Sequence, residues 1–417
     1  MNITPENMTT KRFQEAVDSA AKSGTELTVE PGAYVLGTIF LRDNLKLNLK
    51  RGAYLFGTAD FSEYSSDVDL FTDAVDNLRG KSLIYAENVT NVKIYGGGVI
   101  SGRGGIFNQE HPNHLERPFL VRLIGCKNIA LDGIELRDSA AWNLHLMDCE
   151  DVTVTNVTIK SRVNENNDAI DIDACRRCVI SGCSLDTGDD AICLKATVDR
   201  PCRDITVKNC VITSNWAAIK IGTESVGDFE NITISDCFVY DCNGCGIKIV
   251  PVDGGNAKNV TIQNITFLNT TGPIFIANGE RLRVYHEGHE RKEPGVIENL
   301  LISDIHGDAV NAIGTTYKGE AWGNAKSCIV VSGTETARLK NIVIRNVDMQ
   351  MAGGEAMAPV GKVPEMGVRY PEFHNFGVLP AWGIYVRHAD GFRAENVNLT
   401  LKSKDVRPMC VTEDIKE

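Results

Sequence analysis

The sequence predicts an all-β protein, a right-handed parallel β-helix with an N-terminal capping helix. Three observations carry this expectation: a strand-like phrase that recurs down most of the chain, a second phrase that follows each first one, and an amphipathic stretch ahead of the first repeat. A repeat unit this short buries its apolar face only against its neighbours, so the units must stack.

The first phrase appears as NIALDGIEL from Asn128, DVTVTNVTI from Asp151, RCVISGCSL from Arg177, DITVKNCVI from Asp204, NITISDCFV from Asn231, NVTIQNITF from Asn259, NLLISDIHG from Asn299 and NIVIRNVDM from Asn341. The starts lie 23, 26, 27, 27, 28, 40 and 42 residues apart. Period-two alternation marks each phrase as a strand with one buried face. The Asn-X-Ser/Thr triplets at Asn156, Asn231 and Asn259 coincide with this phrase and read as turn residues rather than glycosylation sites.

The second phrase runs AWNLHLMDC, NDAIDIDAC, DDAICLKA, WAAIKIGT, GCGIKIVP and TGPIFIAN, then more distantly CIVVSG and AWGIYVRHAD. Two strand phrases per coil fit a parallel β-helix rather than a leucine-rich or helical repeat. One domain is expected over residues 1–417, with loop insertions at about 279–296, 306–326 and 353–380. A further long loop, at about 101–118, is expected with them to wall off a cleft. Ahead of the repeats, Thr9 or Thr10 is positioned to cap a helix through Ala21, with Phe13, Ala16, Val17, Ala20 and Ala21 at helical spacing and Gly24 as its stop.

A formal charge of −12 excludes nucleic acid and an anionic membrane as partners, because both need a basic face. No apolar run reaches membrane-spanning length, and the opening residues lack the apolar core of a secretory signal. Thirteen cysteines, several in apolar repeat slots, read as reduced core residues, and Cys175/Cys178 has no second CxxC to complete a zinc site. The location expected is cytoplasmic, or secreted or periplasmic if a signal was removed. No cofactor and no metal are expected, and the oligomeric state is left open.

Aligning the second phrases on Leu144/Leu146, Ile170/Ile172, Ile192/Leu194, Ile219/Ile221, Ile247/Ile249 and Ile274/Ile276 turns those side chains inward. The outward column then reads His145, Asp171, Cys193, Lys220, Lys248, Phe275. Just before these strands Asp168 stands above Asp190, and Asn167 stands above Asp189. Coils stack at about 4.8 Å, so three carboxylates crowd together. Such crowding raises the proton affinity of at least one acid in a catalytic site. Inverting glycoside hydrolysis uses an acid of that kind with a base roughly 6.5 to 9.5 Å away, leaving space for a water.

NNDAIDID, then GDDAICLK, then WAAIKIGTES, then GIK at Gly246–Lys248, resembles the ordered motifs Asn-X-Asp, Asp-Asp, Gly-His-Gly and Arg-Ile-Lys of glycoside hydrolase family 28, the polygalacturonases and rhamnogalacturonan hydrolases. The likeness extends from PGAYVLGTIFLR through at least residue 278. It implies Asp189 as general acid, Asp168 and Asp190 as the pair that holds and deprotonates the water, and Lys248 as a contact to the sugar. Ala217 and Gly246 stand where the family has its histidine and arginine, a departure from the cationic pair that endo-acting polygalacturonases place around galacturonate. Lys220, one coil before Lys248, restores one positive charge. Asn167, Asp171 and Glu224 complete the expected substrate-binding set.

The function expected is inverting, exo-acting (galacturonosidase-like) hydrolysis, the removal of sugars from one end of pectic or related acidic oligosaccharides, with rhamnogalacturonan hydrolase or rhamnosidase-type action as the nearest alternative. A pectate-lyase-like enzyme on the same fold would use the acids to hold Ca²⁺ and would release an ultraviolet-absorbing product. A non-catalytic carbohydrate-binding solenoid would show aromatic platforms, whereas aromatics are 7% of this chain and the outward column is mostly charged.

Overall fold

The computed structural model describes residues 1–311, 316–317, 320–321, 327–357 and 361–417. The fold is the expected right-handed parallel β-helix with a capping helix at its N-terminal end. The chain divides into two compact units, Met1–Ile192 with Ile205–Cys210, and Cys193–Asp204 with Val211–Glu417.

In the first unit three parallel sheets run side by side. Their inward columns are Leu47, Ile94, Leu131, Val154, Ile180; Ile39, Ile84, Val121, Leu144, Ile170; and Leu55, Ile100, Leu136, Ile159, Leu185. All are buried. Each fully buried aliphatic side chain contributes about 1.5–3 kcal/mol, so the stacked columns are the main source of stability.

The sequence showed two strands per coil where this unit has three. The first phrase holds two strands, for example Glu150–Thr155 and Thr158–Ser161, joined at a corner. The corner residues Gly133, Asn156 and Gly182 have φ of 70°, 55° and 66°, in the left-handed region that Gly and Asn tolerate. The asparagines that open the phrase occupy a similar corner: Asn128 donates to Asn91 at 2.7 Å, and Asn91 to Asn44 at 2.9 Å.

In the second unit the inward columns are Ile219, Ile247, Ile274 and Ile249, Ile276, Val331, Val386. The two strands of the first phrase run together here as Phe229–Tyr240, Ala257–Thr271, Ile297–Val310 and Leu339–Gly353. An asparagine ladder lines this unit too, from Asn341 to Asn299 at 2.8 Å and from Asn299 to Asn259 at 3.2 Å.

Helix α1 spans Thr10–Ser23. Thr9 caps it by accepting from the Arg12 amide, and Gly24 ends it at φ 66°. Phe13, Ala16, Val17 and Ala20 are buried, while Ala21 is only half-buried because it sits at the edge of that face. Residues 279–296 form a loop as expected. The 306–326 loop falls largely outside the described residues, and its first positions belong to the strand Ile297–Val310. Among the described residues, the 101–118 and 353–380 segments carry only short 3₁₀ turns in their loop portions, at Gly104–Phe107, His114–Glu116 and Phe373–Phe376. Residues 58–81 form one more excursion, which periodicity did not reveal. It includes an antiparallel hairpin, Phe71–Thr72 with Leu78–Arg79.

Candidate active site

In the first unit, oxygens of Asp168, Asp189 and Asp190 all lie within 4.8 Å of one another. Register accounts for this: the Ala169 amide donates to the Asp190 carbonyl at 2.9 Å, which sets the two acidic turns one above the other. Asp168 and Asp190 are buried, and Asp189 is half-buried. Three full negative charges so close repel strongly, so the trio favours sharing a proton or holding a cation.

Asp189 is held from several directions. Its Oδ1 accepts from the Asp190 amide at 2.9 Å, and its Oδ2 accepts from Asn166 Nδ2 at 3.4 Å. Asn166 Oδ1 in turn accepts from two buried guanidinium groups, Arg79 at 3.0 Å and Arg117 at 2.9 Å. Arg79 comes from the hairpin, where Asp73 pairs with it at 2.7 Å. Burial first, then the Arg79 charge, lowers the proton affinity of Arg117, while Asp189 is among the anions that oppose the shift.

Asn167, expected to bind substrate, is committed elsewhere. Its Oδ1 accepts from the Val163 and Asn164 amides at 2.9 and 2.8 Å, and its Nδ2 donates to the Ser139 and Ala141 carbonyls at 2.8 and 2.9 Å. It locks the turn that presents Asp168. The Asn-X-Asp spacing itself marks Asn166, which was the available signal. Asp171, also expected to meet substrate, is fully buried in register with His145 and exposes nothing to a sugar.

The outward column of this unit continues from Asp171 through His145 and Arg122 to Tyr85. That stretch is covered. Phe71 of the hairpin packs with Phe119, Ala141 and Trp142, and the Phe71, Phe119 and Trp142 rings surround His145 at centroid distances of 5.9, 5.5 and 5.0 Å. Arg122 lies against the Phe71 and Phe119 rings and pairs with Asp69 at 3.0 Å.

In the second unit the outward column reads Lys220, Lys248, Phe275, Val330, Tyr385, Val411. Lys248 Nζ pairs with Glu372 Oε1 at 2.6 Å. Lys220 Nζ reaches the Tyr370 hydroxyl at 3.3 Å, and the Tyr370 ring meets Lys220, Lys248 and Arg281 at 5.8, 5.7 and 5.5 Å. Beyond the lysines the column is apolar: Phe275, Val330 and Tyr385 pack with Met366, Phe376, Leu379 and Ala381.

That packing explains both departures from the motif pattern. Ala217 belongs to the apolar cluster. At Gly246 a Cβ would stand 2.6 Å from the Phe267 ring and 2.7 Å from the Pro273 carbonyl, leaving no space for an arginine side chain without rearrangement.

Glu224 was expected to bind substrate, but it is buried and pairs with Lys195 at 3.1 Å. Burial would push its carboxyl up, yet Lys195, Lys220 and Arg281 hold it down at about 2 against an ordinary 4.5. The stability this contributes is therefore present above an unfolded value near 4.5 and is lost as pH falls toward 2. Glu224→Gln is expected to cost on the order of 3 kcal/mol at neutral pH, with the gap to the parent closing as pH falls. Chemical denaturation at several pH values checks this, and a pH-independent gap would contradict it.

Arg281, Tyr370, Glu372, Arg79 and Arg117 escaped the sequence reading, since none is marked by repeat spacing or by the motifs, and Lys195 closes the run GDDAICLK without having been singled out. Of the thirteen cysteines all but Cys410 are buried, as core residues would be. No helix of the described chain is long and apolar enough to cross a membrane. The cytoplasmic expectation gains no support from that.

The family model described as glycosyl hydrolases family 28 matches residues 40–350. A probable polygalacturonase from Vitis vinifera is 28% identical over 283 residues, covering 63% of this chain and 58% of the relative. The chain thus spans under two thirds of that relative's length. Among solved structures, the Yersinia enterocolitica family 28 exopolygalacturonase superposes with TM-score 0.75 at 17% identity, covering 100% of this chain and 78% of that one. A hyperthermoactive exopolygalacturonase from Thermotoga maritima gives 0.73 at 18% identity, covering 96% and 92%. At these identities the structural likeness speaks for the fold.

Proposed function

We propose that this chain, which belongs to glycosyl hydrolases family 28, is an inverting glycosidase that removes sugars from one end of short pectic or related acidic oligosaccharides. The observation that carries the reading is the crowding of Asp168, Asp189 and Asp190 within 4.8 Å on adjacent coils. Asp189 gives its proton to the leaving oxygen, because it alone of the three keeps an exposed surface and Asn166 steadies it. Asp168 and Asp190 take the proton of the attacking water. Lys220 and Lys248 supply the local positive charge that an acidic protein needs for a uronate. Neither a cofactor nor a metal takes part in this scheme.

End-on action is supported within each unit. Hairpin 71–79 covers the outward column at Arg122 and His145, and the segment around Met366–Ala381 covers it at Phe275 and Val330. An oligosaccharide running along the column of either unit would meet that unit's cover. The relatives from Yersinia enterocolitica and Thermotoga maritima are exopolygalacturonases by name.

Viscometry of a pectic polymer digest tests this directly. Viscosity is expected to stay nearly constant while reducing sugar accumulates as monomers or dimers. Early collapse of viscosity would refute end-on action.

The single domain expected over 1–417 is part of the same reading. It implies one calorimetric unfolding transition, and two separated transitions would overturn it.

A further inference from the structure

We infer that Glu372 is a specificity-determining residue: it occupies the anion position on Lys248 and is exchanged there for the carboxylate of an incoming uronate. The inference rests on the reading of Lys248 as a sugar contact and extends it to a residue outside every motif.

The Lys248–Glu372 pair is 2.6 Å long, with side chains only 1% and 7% exposed. Lys248 sits on a strand whose position is fixed by register with Lys220 and Phe275. Glu372 does not. It arrives on a segment without regular structure up to the turn Phe373–Phe376, two residues after Tyr370 and four after the exposed Val368. Tyr370 is anchored by its contacts with Lys220, Lys248 and Arg281, and its carbonyl accepts from Asn375 Nδ2 at 2.6 Å. The strand side of the pair is rigid, and the loop side is the part able to yield.

Charge decides what can take the place of Glu372. A buried ammonium left without its anion is strongly penalised. A uronate carboxylate entering as Glu372 leaves keeps Lys248 compensated throughout, and the displaced carboxylate regains water. A sugar hydroxyl offers no such compensation, so a neutral sugar must leave Glu372 in place or strand the lysine. The pair therefore selects against neutral sugars at this position by building in an electrostatic cost. It also compensates for the arginine that cannot be housed at Gly246, because discrimination comes from exchange at one cation instead of from two.

The test is binding of galacturonate, with galactose as the neutral probe, measured by calorimetry on the full chain. Glu372→Gln removes the competing anion while keeping shape, and it is expected to raise galacturonate affinity roughly tenfold or more. Adding Lys248→Met to that variant should abolish the gain. An unchanged or weaker galacturonate affinity in Glu372→Gln would overturn the inference. Should that variant fail to fold, hydrogen exchange on the unaltered protein gives the answer: saturating galacturonate should speed exchange across residues 363–372, and unchanged or slowed exchange would overturn it. Neither readout needs turnover. A protein that shows the exchange behaviour but never hydrolyses a pectic oligosaccharide would sink the catalytic reading alone, and hydrolysis with no response at Glu372 would sink this one alone.

Discussion

Asp189→Asn is expected to lower turnover on a pectic oligosaccharide by about 10² to 10⁴-fold or more, the usual range for a lost acid or base. The amide cannot hand a carboxyl proton to the leaving oxygen. It also disturbs the local contacts, since an amide nitrogen in place of Oδ2 would face the Asn166 Nδ2 that now donates to it. Asn at Asp168 or Asp190 should cost a similar factor by a different route, loss of water activation. None of the three changes touches an inward column, so circular dichroism should be unaltered in each. Near-parental turnover in all three variants on a confirmed substrate would end the assignment. A chelator serves as the control on the crowded trio: the hydrolase scheme expects no effect, while activity lost to the chelator and restored by Ca²⁺ would point to the lyase alternative.

Asp253→Ala is expected to destabilise the protein by about 3–5 kcal/mol, the range for breaking a buried ion pair from one side. Asp253 is fully buried and accepts from Arg281 Nε at 2.8 Å, Arg281 Nη2 at 2.6 Å, the Tyr285 hydroxyl at 2.8 Å and the Arg283 amide at 3.0 Å. Burial, then Asp253 itself, pushes the Tyr285 phenol well above its ordinary value, so the phenol stays neutral and remains a donor. Removing the carboxylate leaves a largely buried guanidinium without its anion and the phenol without its acceptor. The effect should reach Lys220 and Lys248 as well, because Arg281 shares the Tyr370 ring with them. Asp253→Asn, which keeps an acceptor, should lose less. Chemical denaturation decides the matter, and a loss below about 1 kcal/mol for Asp253→Ala would contradict the account.

The stacking columns were legible because alternation of aliphatic and polar residues is a direct consequence of strand geometry, and the register then carried Asp168, Asp189 and Asp190 to one place. The third strand of each coil was hidden inside the first phrase, since a corner made by Asn156 or Gly182 interrupts a strand without interrupting the alternation. Hairpin 71–79 was illegible for another reason. Its strands are two residues long, and besides the local Asp73–Arg79 pair it is held by contacts far apart in sequence, Arg79 with Asn166 and Phe71 with Arg122. Glu372 shows the same limit: a loop residue meets Lys248 from 124 positions away, with nothing local to mark it. Asn167 and Asn166 are neighbours of identical chemistry; the Asn-X-Asp spacing points to Asn166, and the backbone bonds around Asn167 show it to be the turn lock.

Among these expectations, the stereochemistry of the first bond cleaved bears most directly on the claim that three aspartates perform a single displacement. The three carboxylates approach one another closely, and the anomer of the first product reports which way they act. Proton NMR during the first minutes of hydrolysis reads the anomer before mutarotation equalises it. Water delivered by Asp168 and Asp190 to the face opposite the departing oxygen predicts an initial product of inverted configuration, whereas an initial product of retained configuration would contradict the mechanism.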